Sequence, residues 1–187
     1  MRLDELNRLL REQDRRARWL FTAGQLRRLA GDRPKAFEAA VARHCQRGLL
    51  QRVAHGLYAN PHARSTPSHR LEAVARQLRP MHHTYVSLES RLSELGLIGQ
   101  IPGVLTVMTS GRSRRCDTAY GTIEFTHTGR DIPSLIDSRQ VYWDEARGIH
   151  VATAERARSD LTRVGRNLDL LQAEAEENGG RNHAASA

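Results

Sequence analysis

The tightest constraint on the fold is a series of helix start and stop signals between Thr22 and Gly48, followed at once by two short apolar segments around a glycine turn. Thr22-Ala-Gly-Gln25 has the spacing of a capping box: the Thr22 hydroxyl can accept from the Gln25 N–H while the Gln25 side chain accepts from the Thr22 N–H. The helix this starts would carry Leu26 and Leu29 inward and Arg27 and Arg28 outward, and Gly31 would stop it. Asp32 suits the next N-cap, with Pro34 tolerated in the first turn. Phe37, Ala40, Val41 and His44 then fall on one face at i, i+3, i+4 and i+7. At about 100° per residue, Lys35, Ala39, Ala42, Arg43 and Gln46 lie opposite them. Gly48 ends this helix. Leu49–Val53 and Leu57–Ala59 read as short strands joined by Ala54-His55-Gly56, and Asn60-Pro61 closes the unit. Upstream, Leu3, Leu6, Leu9 and Leu10 give the stripe of a first helix reaching about Arg16. Trp19-Leu20-Phe21 is either a small strand or a buried linker. Helix, short helix, turn, longer helix and hairpin, in that order, describe a winged helix-turn-helix.

Polar residues 64–68 form a linker to a second, mixed domain. Residues 68–79 predict a helix with Leu71, Val74, Ala75 and Leu78 inward, stopped by Pro80. Residues 87–96 predict another, with Leu88, Leu92 and Leu95 inward. Val104–Met108 is β-branched and apolar, as a central strand should be. Thr122–His127 alternates faces, and Val141–Trp143 and Ile149–Val151 flank a turn at 144–148. Thr153 caps a helix running through Leu161, with Glu155 near its positive end. A last helix is expected over about Asn167 to Glu177, before a Gly-, Asn- and Ala-rich tail. The expected class is therefore α+β: a winged helix-turn-helix over 1–62, a mixed α+β domain over 63–178 and a disordered tail over 179–187.

Charge separates the two parts. The net charge is +8, yet residues 1–60 hold 13 Lys/Arg against 6 Asp/Glu while the other 127 hold 16 against 15. A polyanion drawn to the first third would release counterions as it bound, giving a salt-dependent affinity. No apolar run is long enough to span a membrane, and the N-terminus has the pattern of neither a secretory signal nor a transit peptide. Cys45 and Cys116 fit no metal-ligand spacing. Reduced thiols and a cytoplasmic location are expected.

The outward face of the third helix is the leading candidate site. Arg or Lys pairs with guanine and Gln with adenine, so Lys35, Arg43 and Gln46 suit a major groove, and Ala39 and Ala42 permit close approach. A solvated helix face carries the same residue types; the helix order and the hairpin favour DNA. Arg52 and His55 lie at or beside the hairpin tip, where a wing meets phosphates or the minor groove. Arg27 and Arg28 suit phosphate contacts. Arg112, Arg114 and Arg115 form a second basic cluster in an expected loop, open to RNA, an acidic partner surface or nucleotide phosphates. His82-His83 with Tyr85, and His127, invite a metal or nuclease reading, but no partner follows at a spacing such as His-Glu-x-x-His. Ser87, Ser90 and Ser110 have no recognisable base, and no nucleophile elbow or phosphate loop is present. Catalysis, a metal and a cofactor are not expected.

Four stretches in order resemble the AbiEi family, the abortive-infection antitoxins of type IV toxin–antitoxin systems: Gly56-Leu-Tyr-Ala-Asn-Pro61; Tyr85-Val-Ser-Leu-Glu-Ser-Arg-Leu-Ser-Glu-Leu-Gly96; Thr109-Ser-Gly-Arg-Ser-Arg-Arg115 running on to Gly121-Thr-Ile-Glu-Phe-Thr-His127; and Gly148-Ile-His-Val-Ala-Thr-Ala-Glu-Arg-Ala157. The resemblance implies a winged helix that represses its own operon, commonly at inverted repeats. It also implies a C-terminal α+β domain that counteracts a toxin of nucleotidyltransferase fold, with Arg112, Arg114 and Arg115 as contacts of that domain. The family's helix after the Ala-Thr-x-Glu-Arg motif is usually apolar, whereas this chain has Arg158 and Ser159 there, so that helix is expected to be less buried. Two other readings stand beside this one: a free-standing regulator with no toxin, and an RNA-binding or processing protein using Arg112–Arg115 and the histidines.

Overall fold

The computed structural model describes residues 1–31 and 34–167, and the side chains of residues 34 and 35 lie outside that description. The expected Asp32 cap, the last helix over 167–177 and the tail over 179–187 lie outside the described residues. The chain divides into two compact units, Met1–Leu78 with Asp117–Tyr120, and the remainder.

The first unit runs α1 (Leu3–Arg15), β1 (Leu20–Thr22), α2 (Ala23–Ala30), α3 (Pro34–Gln46), β2 (Gln51–Ala54), β3 (Leu57–Ala59) and α4 (Arg70–Leu78). Its three strands pair in the order β1-β3-β2, with Phe21 opposite Tyr58 and Arg52 opposite Tyr58 from the other side. Trp19-Leu20-Phe21 is thus resolved in favour of a strand beginning at Leu20. The capping box forms as the spacing requires: the Gln25 N–H donates to Thr22 Oγ1 at 3.2 Å and the Thr22 N–H to Gln25 Oε1 at 2.8 Å. Gly31 ends α2 in the left-handed region, at φ +66, where only glycine adds no steric cost. Gly56 turns the hairpin at φ +69, and the pairing of β2 with β3 shifts between Arg52 and Ala54. Leu6, Leu10, Phe21, Leu26, Phe37, Val41 and Leu50 form one core. Ala40 and His44 complete the buried face of α3.

Two leucines expected inward in this unit are outward. Leu3 and Leu29 are each 41% exposed. The buried seam of α1 is Leu6, Leu10 and Gln13, so Leu3 projects from the first turn. In the eight-residue α2 only Leu26 is fully buried, and Leu29 lines a shallow groove beside α1 with Leu9 and Arg15. Asp14 ties α1 to the segment after the hairpin, accepting from the backbone N–H of Arg64 and of Ser65, both at 3.0 Å. Those bonds and the Ser65 side chain hold its carboxyl below the ordinary value of 3.8.

The second unit contains β4 (Thr84–Val86), α5 (Leu88–Glu94), β5 (Val104–Thr109), β6 (Arg114–Thr118), β7 (Gly121–His127), α6 (Ile132–Asp137), β8 (Val141–Asp144), β9 (Ile149–Ala152) and α7 (Ala154–Val164). The strands form one mixed sheet in the order β6-β7-β5-β4-β9-β8. β4 pairs antiparallel to β5 and parallel to β9, and β5 pairs parallel to β7. Val104–Met108 is therefore interior to the sheet, as its composition predicts. Tyr85, Leu88, Leu92, Met108, Val141, Ala152, Ala157 and Leu161 lie in the core on which α5 and α7 pack.

Leu95, expected inward on α5, is 39% exposed; the helix stops at Glu94 and Ile98 enters the core instead. Arg114 and Arg115 were expected in a loop and instead begin the edge strand β6, leaving only Arg112 in the loop. α7 is more buried than its Arg158-Ser159 pair suggests. Those two face outward, while Arg156, Ala157, Asp160 and Leu161 face inward. The charges on the inner face neutralise one another: Arg156 Nη2 lies 2.8 Å from Asp160 Oδ1. Asp160 Oδ2 also accepts from the Tyr85 hydroxyl at 2.9 Å and from the Ser87 hydroxyl at 2.8 Å.

Candidate nucleic-acid interface

Helix α3 divides cleanly. Phe37, Ala40, Val41 and His44 are buried, while Glu38, Ala39, Ala42, Arg43 and Gln46 are exposed. Core packing of the first four against α1, α2 and β1 thus forces the polar arc outward, which is how a helix-turn-helix offers its second helix to a groove. Arg43 and Gln46 lie on that arc. Lys35 belongs to α3, and its side chain lies outside the described residues. On α2, Arg27 and Arg28 are exposed on the side away from Leu26.

Between α2, α3 and the hairpin lies a groove of about 610 Å³ lined by Gly24, Arg27, Glu38, Ala42, Cys45, Arg52, His55 and Tyr58, among others. The fold therefore brings Arg27, Arg52 and His55 to one groove, while Arg28, Arg43 and Gln46 are exposed outside its lining. At the hairpin tip, Arg52 Nη2 lies 3.3 Å from His55 Nδ1. Arginine only donates, so Nδ1 accepts there and the ring proton sits on Nε2. Cys45 is half-buried, and burial raises its thiol pKa, which keeps it a neutral groove wall. Glu38 and Tyr58 were absent from the residues singled out in the sequence. Helical geometry places Glu38 about 40° from Ala42, so Glu38 was legible from α3's period. Tyr58 required the β1-β3-β2 pairing.

In the second unit Arg112, Arg114 and Arg115 are all exposed. The loop before them is firmly held. His127 Nδ1 donates to the Gly111 carbonyl at 2.9 Å, the His127 N–H donates to Ser113 Oγ, and Arg79 Nη2 donates to the Arg112 carbonyl at 2.9 Å. The His82 ring packs so close to Gly111 that a Cβ there would meet it at 3.1 Å. Sequence separation hid this packing of His82, His83 and His127 against Ser110, Gly111 and Ser113.

Several of the residues that invited a catalytic or metal reading are held by contacts within the second unit. Tyr85 is fully buried, and burial with the Asp160 charge raises its hydroxyl pKa far above the ordinary value. Ser90 Oγ donates to the Val104 carbonyl and Ser110 Oγ accepts from the His83 N–H. Among the described residues no three His, Cys, Asp or Glu side chains come together to hold a metal, and Cys45 and Cys116 are free thiols. No described helix is long and apolar enough to cross a membrane.

In the first unit α1, α2 and α3 are followed by a hairpin within a three-stranded sheet, the arrangement of a helix-turn-helix with a hairpin after it. Residues 7–61 match the family model described as a transcriptional regulator, AbiEi antitoxin. The match lies within the first unit and leaves the mixed sheet outside it. No curated protein matches the chain.

Proposed function

We propose that the protein is a DNA-binding transcriptional repressor, the antitoxin of a type IV toxin–antitoxin operon, which occupies its own promoter at inverted repeats and counteracts a toxin of nucleotidyltransferase fold. The observation that carries the DNA-binding part is the convergence of Arg27, Arg52 and His55 on one groove beside the exposed arc of α3. Arg27, Arg28, Arg52 and His55 hold phosphates and set register, while Lys35, Arg43 and Gln46 reach base edges. Repression follows from occupancy. In the second unit, Arg112, Arg114 and Arg115 form the contact surface for the toxin or for nucleic acid; the absence of any carboxylate from residues 110–116 supports a polyanionic or acidic partner.

The test is binding of the full chain to the duplex immediately upstream of its own gene, against a random duplex at physiological salt. A Lys35/Arg43/Gln46 triple-alanine variant runs beside it. Tight, sequence-preferring binding that the variant loses supports the reading. Equal, weak binding to both duplexes that modest salt abolishes refutes it. For the antitoxin part, co-expression with the neighbouring nucleotidyltransferase-like gene must be tolerated with the wild type and toxic with an Arg112/Arg114/Arg115 triple-alanine variant; no toxicity from that gene alone removes the toxin from the proposal.

A further inference from the structure

Glu38 is a carboxylate in surroundings otherwise suited to phosphate. It is exposed on α3 and lines the same groove as Arg27, Arg52 and His55. Beside a polyanion, an exposed carboxylate is repelled by every phosphate within a Debye length of roughly 8 Å at physiological salt. A surface selected only for affinity would hold a neutral or basic residue there. The cost is offset only where the carboxylate meets a hydrogen-bond donor, and in a duplex the major-groove donors are the exocyclic amino groups of the bases.

We propose that Glu38 is a specificity-determining residue that selects a cytosine through its N4 amino group; this deepens the winged-helix reading proposed above and rests on it. Two observations point the same way. Glu38 is the fifth residue of α3, which begins at Pro34, and the N-terminal part of a recognition helix is the part that meets base edges. Its exposed neighbours on the arc, Ala39 and Ala42, are too small to hold the helix off the groove floor. The choice between the two amino-bearing bases follows from their edges. Adenine shows its N6 amino group beside the N7 acceptor, which repels a carboxylate, whereas cytosine shows N4 with no acceptor of its own beside it. Glu38 therefore also works by exclusion, since thymine O4 and guanine O6 and N7 offer it only acceptors.

The experiment is selection from a pool of duplexes with a randomised core, using the full chain as wild type, E38A and E38Q, each first checked for an unchanged thermal melt. Wild type should return a consensus with a fixed cytosine. E38A should keep the rest of the consensus, become indifferent at that position and bind random duplex more tightly. E38Q should shift the position towards adenine, the base that an amide pairs with in bidentate fashion. Changing that cytosine to thymine in the selected site should weaken wild type on the order of tenfold to a hundredfold and leave E38A unaffected. The proposal is overturned if E38A returns the wild-type consensus at full strength, if the position that depends on Glu38 is not cytosine, or if E38A loses all binding. A wild-type selection that yields no consensus overturns the repressor reading as well, so the two failures are distinguishable.

Discussion

Replacing Asp160 with alanine removes the counter-charge of a guanidinium that has almost no contact with water. The Arg156 side chain is 3% exposed and that of Asp160 1%, with 2.8 Å between Nη2 and Oδ1. In D160A, Arg156 keeps polar partners in Ser159 Oγ at 2.7 Å and Gln140 Oε1 at 3.4 Å, but it loses its charge balance. The Tyr85 and Ser87 hydroxyls lose their acceptor at the same time. Breaking a buried pair by removing one partner costs about 3–5 kcal/mol, a large share of the roughly 5–15 kcal/mol that holds a domain folded. For a domain of this size the midpoint should fall by at least about 12 °C. The two tryptophans allow the measurement to be made unit by unit. Trp143 belongs to the second unit and Trp19 to the first, so in a W19F background the fluorescence transition reports the unit whose helix α7 carries Asp160. Substituting both partners, as in R156M/D160L, should recover most of the loss, because an apolar pair needs no charge balance; the two orphaned hydroxyls keep the recovery incomplete. A D160A loss below about 1 kcal/mol, the range of an exposed pair, would refute the view that this pair is desolvated.

Smaller effects are expected elsewhere. T22A removes the α2 cap and should cost the first unit about 1 kcal/mol, read from Trp19 fluorescence in a W143F background during urea unfolding. Asp14, whose carboxyl pKa is lowered by its bonds to Ser65 and Arg64, binds its proton more readily in the unfolded chain. The stabilisation it gives is therefore complete above the unfolded value near 3.8 and disappears as pH falls through the lower folded value. Melts of wild type and D14A should differ at pH 6 and converge in acid; a difference that persists through the acid range would contradict this. R52A should weaken binding to all duplexes about equally and reduce the slope of log affinity against log salt by about one phosphate, measured by titration at several salt concentrations.

What the sequence made legible is what short-range physics dictates. The Thr22–Gln25 capping box, the Gly31 stop, the buried face of α3 and the Thr153 cap each depend on residues no more than about ten apart, and each formed as expected. The departures come from long-range packing. Leu29 and Leu95 have the correct helical phase but sit where α2 and α5 are too short to carry them into a core. β4, only three residues long and buried on both faces, shows no alternation to detect, and its pairing with β5 and β9 depends on residues 20–65 positions away. Arg114 and Arg115 look like loop residues because an edge strand with charged side chains has no apolar period; edge strands carry charge in order to block further pairing. In the candidate site, Arg27 could be read as exposed from α2 alone. That it shares a groove with Arg52 and His55 could not, because the groove closes only when β3 pairs with β1.

The two basic surfaces differ in what they can discriminate. On the Arg112–Arg115 segment every exposed charge is positive, and arginine only donates; such a surface answers to the density of negative charge and gives affinity that falls steeply with salt. The α3 face mixes Arg43, which donates, with Gln46, which does both, and Glu38, which only accepts. Base edges differ from one another in the order of donors and acceptors, while phosphates do not, so only a surface with both kinds of group can prefer one sequence. If the protein binds DNA as proposed, α3 is the element that can read sequence, and the cations of α2 and the hairpin supply the attraction that offsets the cost of placing Glu38 beside a polyanion. On this reasoning, charge-removing substitutions at Arg27 or Arg52 should lower affinity and leave preference intact, and substitutions at Gln46 or Glu38 should do the reverse.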